Sequence, residues 1–172
     1  MKFAAGLLVG IALVAGSTSP RVTRDNVATL ERLTDGKVVQ LDANTPGEAL
    51  GRTRGVYLEG YGAVFTAEVD PNPFASPNPF RPAYTPAEVD KLHIQKQIRI
   101  EVLQKRMVES MVVIAQNLKG VPATERIALA VTIPYYPWEK TTGMPRQILI
   151  QAQKSALLNP GTLNESLKVE KF

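Results

Sequence analysis

The sequence predicts an α+β domain: an antiparallel β-sheet of four or five strands packed, as two layers, against one long α-helix. Three observations carry this reading. A Pro-started stretch from Pro86 to Lys119 contains no further Gly or Pro and is followed by Gly120. Segments near residues 54–70, 127–133 and 147–152 alternate in the two-residue rhythm of half-buried strands. The chain has 172 residues, 44% hydrophobic and 21% charged, which suits one globular core.

Lys2 precedes an uncharged run from Phe3 to Ala15, then the small residues Gly16 to Ser19 and Pro20. A basic start, a short apolar stretch and a small-residue exit describe a secretory signal peptide over residues 1–19. The apolar run is too short to span a hydrocarbon core of about 30 Å comfortably. The expectation is an exported protein, periplasmic or extracellular. Residues 20–172 then form a single α+β domain with no integral membrane domain after signal removal. An uncleaved signal would instead leave an N-terminal membrane anchor.

Within residues 20–172, Thr23 or Asp25 can cap a short helix carrying Val27, Leu30 and Leu33, with Gly36 as its stop. Lys37 to Asp42 reads as a strand. Arg54 to Asp70 holds two β-rich halves around Gly60-Tyr61-Gly62. A two-residue Gly60-Tyr61 turn would place Val56 opposite Phe65 and Leu58 opposite Ala63; one long strand with a glycine bulge competes with that hairpin. Residues 71–86 form a Pro-rich loop with six of the 13 prolines and a repeated PNPF, at Pro71–Phe74 and Pro77–Phe80. The loop is either a connector pinning Phe74 and Phe80 or a docking strap for another protein.

Thr85-Pro86-Ala87-Glu88 combines a capping box with Pro at the first helical position. The helix it opens runs to Lys119, amphipathic in its first half and apolar on most sides over Met107–Leu118. Its first half can reach beyond the domain, or dock on a second copy. Ile127 to Ile133 reads as a strand buried on both faces, and Gln147 to Ala152 as its antiparallel partner. Residues 134–146 are a loop, Ser155–Leu158 one helical turn, and Leu167–Phe172 a terminal strand.

Several chemistries are excluded or weakened by composition. There is no cysteine, so disulfides, thiol catalysis and Cys-based metal sites are absent. The formal charge of +4 is spread evenly, without the basic stripe of a nucleic-acid binder. His93 is the single histidine, and no G-x-S-x-G elbow accompanies it. No catalytic residue, cofactor or metal site is expected. Glu59, Glu68 and Asp70 are the carboxylates a glycoside-cleaving pair could draw on, yet their alternation reads as a solvated face. The expected binding patch is aromatic and basic: Tyr61, Tyr135, Tyr136, Trp138, Lys140 and Arg146, gathered if the Gly60 tip and the 134–146 loop share one end of the sheet. The alternative is that these rings close the core as a lid.

The stretch Val56–Val69 (VYLEGYGAVFTAEV), with Tyr136-Pro137-Trp138-Glu139 and Gln147–Ala152 (QILIQA), resembles uncharacterised exported proteins of Acidobacteria-like Gram-negative bacteria. That resemblance implies a bacterial exported protein and carries no site residue. The expected function is a non-enzymatic envelope or periplasmic interaction or structural module. Its partner would be another envelope protein, or a second copy through the long helix. The alternative is a carboxylate-dependent hydrolase, or a binding protein, for an envelope polysaccharide.

Overall fold

The computed structural model describes residues 22–73 and 83–172; the signal reading and the PNPF phenylalanines Phe74 and Phe80 lie outside those residues. Helix α1 (Arg24–Val38) opens on Thr23, whose hydroxyl accepts from the Asn26 N–H at 3.3 Å. It does not stop at Gly36, and the strand expected over 37–42 does not form. The buried stripe Val27, Leu30, Thr34 and Val38 explains why. It continues the helical spacing past Gly36, which lies on the exposed side with open space around it. Burying that stripe outweighs the roughly 1 kcal/mol a helical Gly costs relative to Ala. Leu33, expected on the buried side, is 48% exposed.

Strands β1 (Glu48–Ala49) and β2 (Arg54–Leu58) both pair antiparallel with β3 (Gly62–Asp70). The β2–β3 hairpin exists, but one residue out of the expected register. Leu58 lies opposite Gly62, Val56 opposite Val64, and Gly55 opposite Phe65. The loop therefore has three residues, Glu59-Gly60-Tyr61. Its turn closes with the Tyr61 N–H donating to Leu58 O at 3.0 Å, and Gly60 takes a φ of 81° at the corner. A one-residue slip exchanges sheet faces. Phe65 and Ala63 are fully buried, whereas Val56 and Leu58 stand half exposed on the opposite face. Gly62 carries the tightest constraint of the hairpin. Its φ is 128°, and a Cβ there would sit 1.8 Å from the backbone oxygen of Arg126.

Helix α2 (Pro86–Asn117) is the expected long helix, 32 residues in all. The capping box is made in both directions: Thr85 Oγ1 accepts from the Glu88 N–H, and Glu88 Oε2 accepts from the Thr85 N–H at 2.8 Å. Leu103, Met107, Met111 and Ile114 are essentially fully buried, each worth about 1.5–3 kcal/mol of transfer free energy. No residue of its last turn is basic. Instead Lys154 Nζ, from the short α3 (Lys154–Leu157), donates to the carbonyls of Leu118 and Val121 at 2.8 and 3.0 Å.

Strand β4 (Arg126–Thr132) lies parallel to β3, and β5 (Gln147–Gln153) returns antiparallel to β4 as expected. A turn of helix, α4 (Leu163–Ser166), leads to β6 (Lys168–Lys171) on the outer side of β5. The sheet has six strands in the order β1-β3-β4-β5-β6, with β2 also on β3. It is mixed, which corrects the all-antiparallel expectation. The physical reason is α2. A crossover helix of this length carries the chain back to the starting end of the sheet, so the next strand enters parallel. Ile127, Leu129 and Val131 are buried on one side of β4, while Ala128, Ala130 and Thr132 grade from buried to exposed on the other. Among the described residues no helix is long and apolar enough to cross a membrane.

Candidate functional site

The parallel pairing decides which loops meet. Residues 134–146 leave the finishing end of β4, while Tyr61 precedes Gly62, which pairs with Arg126 at the starting end. Tyr61 is therefore at the far end of the sheet from Tyr135, Tyr136, Trp138, Lys140 and Arg146. The other five gather, together with the first half of α2.

At their centre lies a side chain the sequence reading overlooked. Lys96 is 2% exposed. Its Nζ donates to Pro134 O at 2.8 Å and to the Glu139 carboxylate at 3.0 and 2.9 Å. Asp70, also 2% exposed, lies 3.9 Å away. The Tyr135 ring sits under the ammonium, 4.3 Å from Nζ to its centroid. One turn on, Arg99 donates to the carbonyls of Pro71 and Thr45 and to Thr45 Oγ1. Burial holds the Arg99 guanidinium below its ordinary pKa, against the pull of Asp42 and Asp70. Two buried cations thus face two buried carboxylates, joining the end of β3, helix α2 and the loop after β4. A legible signal existed: Lys96 and Arg99 occupy the same helical stripe as Ile100, Leu103 and Met107, all buried.

The loop is built onto this anchor. Tyr135 donates its hydroxyl to Pro145 O at 2.7 Å. Burial, reinforced by Glu139 and opposed by Arg146, pushes its phenol up to about 12. The Arg146 guanidinium stands 5.7 Å from the same ring. Trp138 stacks on Tyr136 with centroids 5.8 Å apart and lies 4.5 Å from Tyr84. Lys140 pairs with Asp90 at 2.8 Å, and its carbonyl lies 2.7 Å from His93 Nδ1. A carbonyl only accepts, so that nitrogen carries the proton. The first half of α2 is thus covered along one side by the loop and does not project free of the domain.

Chemically, the cluster is closed. The slot between α2 and the loop, lined by Leu92, His93, Lys96, Trp138 and Glu139, has no room for a water molecule. Of the carboxylates singled out above, Asp70 is buried here, whereas Glu59 and Glu68 are exposed. Among the described residues no group of three or more His, Asp or Glu could hold a metal ion.

An open groove lies elsewhere, along α1. About 460 Å³ is lined by Arg24, Glu31, Arg32, Asp35, Arg52 and Arg54, with Ala28 and Thr53. Its two acids are engaged. Asp35 accepts from the Thr53 N–H at 2.7 Å and from its hydroxyl at 2.5 Å. Glu31 binds Arg24 through both oxygens at 2.8 Å and accepts the Gly55 N–H at 2.7 Å. Arg24 in turn donates to Gly55 O at 3.2 Å. The pair therefore satisfies both outward backbone groups of an edge residue, as a neighbouring strand would. Burial works against the Glu31 charge, but Arg24, the Gly55 N–H and Arg54 together hold its carboxyl below the ordinary value.

No family model, no curated protein and no solved structure matches the chain.

Proposed function

We propose that the chain is an exported, non-enzymatic envelope or periplasmic protein acting through protein–protein contact. In this reading the sheet and α2 form two layers, and the outer side of α2 meets the partner, either another envelope protein or a second copy. The observation that carries the reading is the contrast on α2. Its charged side chains Lys96 and Arg99 are buried and fully engaged, while Ile94 and Ile98 are 57% and 59% exposed one turn apart. Large apolar side chains adjacent on a helix and turned to water mark a contact surface when rimmed by charge. Affinity capture from envelope extract with the tagged chain tests it. A specifically retained protein, lost with Ile94→Glu/Ile98→Glu, is the expected result. No retention, or retention unaffected by the double variant, refutes the reading.

The second reading, a polysaccharide-binding protein, draws on the arginine-lined groove beside α1, where, among the described residues, Arg32, Arg52 and Arg54 have no carboxylate partner within ion-pair distance. Guanidiniums recognise carboxylate and phosphate oxygens, so the polysaccharide would be an anionic one. Its hydrolase variant has less support. Asp70 and Glu139 share one lysine, but among the described residues the slot beside that lysine and Glu139 has no room for a water molecule.

A further inference from the structure

Ile94 and Ile98 do not stand alone. Ala87, Lys91, Ile94, Ile98, Glu101 and Lys105 are all exposed, and their spacing is 4, 3, 4, 3, 4. That is the rhythm of a coiled-coil seam, which places them on one stripe of the helix. From Ala87 to Lys105 the stripe rises through 18 residue steps, about 27 Å at 1.5 Å per residue. Its apolar centre, Ile94 and Ile98, is 57% and 59% exposed. The inner stripe of the same turns, Lys96, Arg99, Ile100 and Leu103, is the one that holds α2 to its own body. A seam with this period, turned away from the core, needs a second helix to cover its apolar centre.

The charges on the seam say which helix, and in which direction. We propose that α2 pairs with α2 of a second copy, antiparallel, about a two-fold axis at Lys96; this rests on the interaction-module reading and names its partner. In that register Ile94 meets Ile98 of the second copy, and Lys91 meets its Glu101. The two-fold axis makes each contact twice. At the ends, small Ala87 faces the long stem of Lys105, which can lie along the apolar seam with its ammonium in water. A parallel pair would instead set Lys91 on Lys91 and Glu101 on Glu101, and like charges in apposition disfavour it. Neither Lys91 nor Glu101 forms an ion pair within its own chain among the described residues. Both remain available across the axis. The contact is isologous and self-complementary, as a two-fold dimer requires. Four isoleucines and four charges make a small interface, so association is of the reversible kind that depends on concentration.

Sedimentation equilibrium of the purified chain over about 5–500 μM tests this, since reversible contacts of this size fall in that range. The expected result is a monomer–dimer equilibrium that Ile94→Glu/Ile98→Glu abolishes. Lys91→Glu and Glu101→Lys should each raise the dissociation constant at least about tenfold, the scale of losing attraction and adding repulsion twice. Their combination should restore it to within about threefold, because the same pairs are re-formed with signs exchanged. A monomer throughout the range overturns the proposal, as does a dimer indifferent to the isoleucine variant. A dimer that loses nothing on single charge reversal overturns the antiparallel register. If the chain is monomeric yet Ile94→Glu/Ile98→Glu still loses a captured envelope protein, self-pairing fails and the interaction-module reading stands. If capture is unaffected by that variant, the broader reading fails.

Discussion

Replacing Lys96 by Met removes the one ammonium that two buried carboxylates share, at nearly constant side-chain length. At an effective dielectric of about 20, the attractions at 2.9 Å to Glu139 and 3.9 Å to Asp70 are about 6 and 4 kcal/mol. Desolvating each ion costs several kcal/mol, so the network as a whole contributes little net stability. Removing one member is different. Glu139, with its side chain 8% exposed, then keeps its burial without a counter-charge, and Asp70 keeps only the more distant pull of Arg99; such breaks cost about 3–5 kcal/mol. Urea unfolding at pH 7 measures this, read by far-UV circular dichroism and by the fluorescence of Trp138 in the adjoining loop. The variant should lose about 3–5 kcal/mol. Adding Asp70→Asn and Glu139→Gln to it should recover more than half of the loss, because the uncompensated charges are gone. A Lys96→Met variant within about 1 kcal/mol of the parent, the range of surface pairs, would refute the cluster as the anchor of the loop.

Three further outcomes follow from the geometry. Gly62→Ala must fit a Cβ against the Arg126 backbone at a φ of 128°, and should cost at least about 2 kcal/mol in the same unfolding assay, or prevent folding. Tyr135 should titrate near 12 against 10.0 for an ordinary phenol. Its contribution to stability is therefore complete below pH 10 and is lost as pH rises toward about 12; absorbance titration at 295 nm, with Tyr135→Phe as reference, isolates it. Glu31 is shifted the other way, below its ordinary value of 4.5. Its contribution is present above that pH and is lost as pH falls through the lower folded value, a loss that Glu31→Gln should not show in acid unfolding curves.

Local chemistry made several elements readable in advance. Thr85-Pro86-Ala87-Glu88 marks the start of α2 because capping groups and Pro act within one turn, and Gly120, with a φ of 84°, follows its end. The β4–β5 pair follows from two adjacent alternating segments. What escaped depends on contacts between distant segments. The β2–β3 register turned on whether Glu59 joins the loop, and both registers offer Phe65 and Ala63 to the core; only the half exposure of Val56 and Leu58 separates them. The parallel entry of β4 is set by the path of α2 across the sheet, which no local pattern encodes. Lys96 looked like an ordinary helix lysine because its partners lie 26 residues before it and 43 residues after it. Of the anticipated aromatic and basic patch, the five members on one loop were found together for the simple reason that they are neighbours in sequence. Tyr61 required knowledge of strand direction.

The most direct test of the seam on α2 is a distance between two copies of the chain. The protein has no cysteine, so Ala87→Cys provides a single spin-label site at one end of the stripe. In the antiparallel pair the two labelled positions lie 18 residues apart along the axis, and with helices packed 8–10 Å apart the backbone separation is about 28 Å. Double electron–electron resonance at a concentration where the dimer forms should give a distribution centred near that value, lost with Ile94→Glu/Ile98→Glu. A distribution centred near 10 Å, as side-by-side parallel helices would give, or no dipolar signal at all, would contradict it.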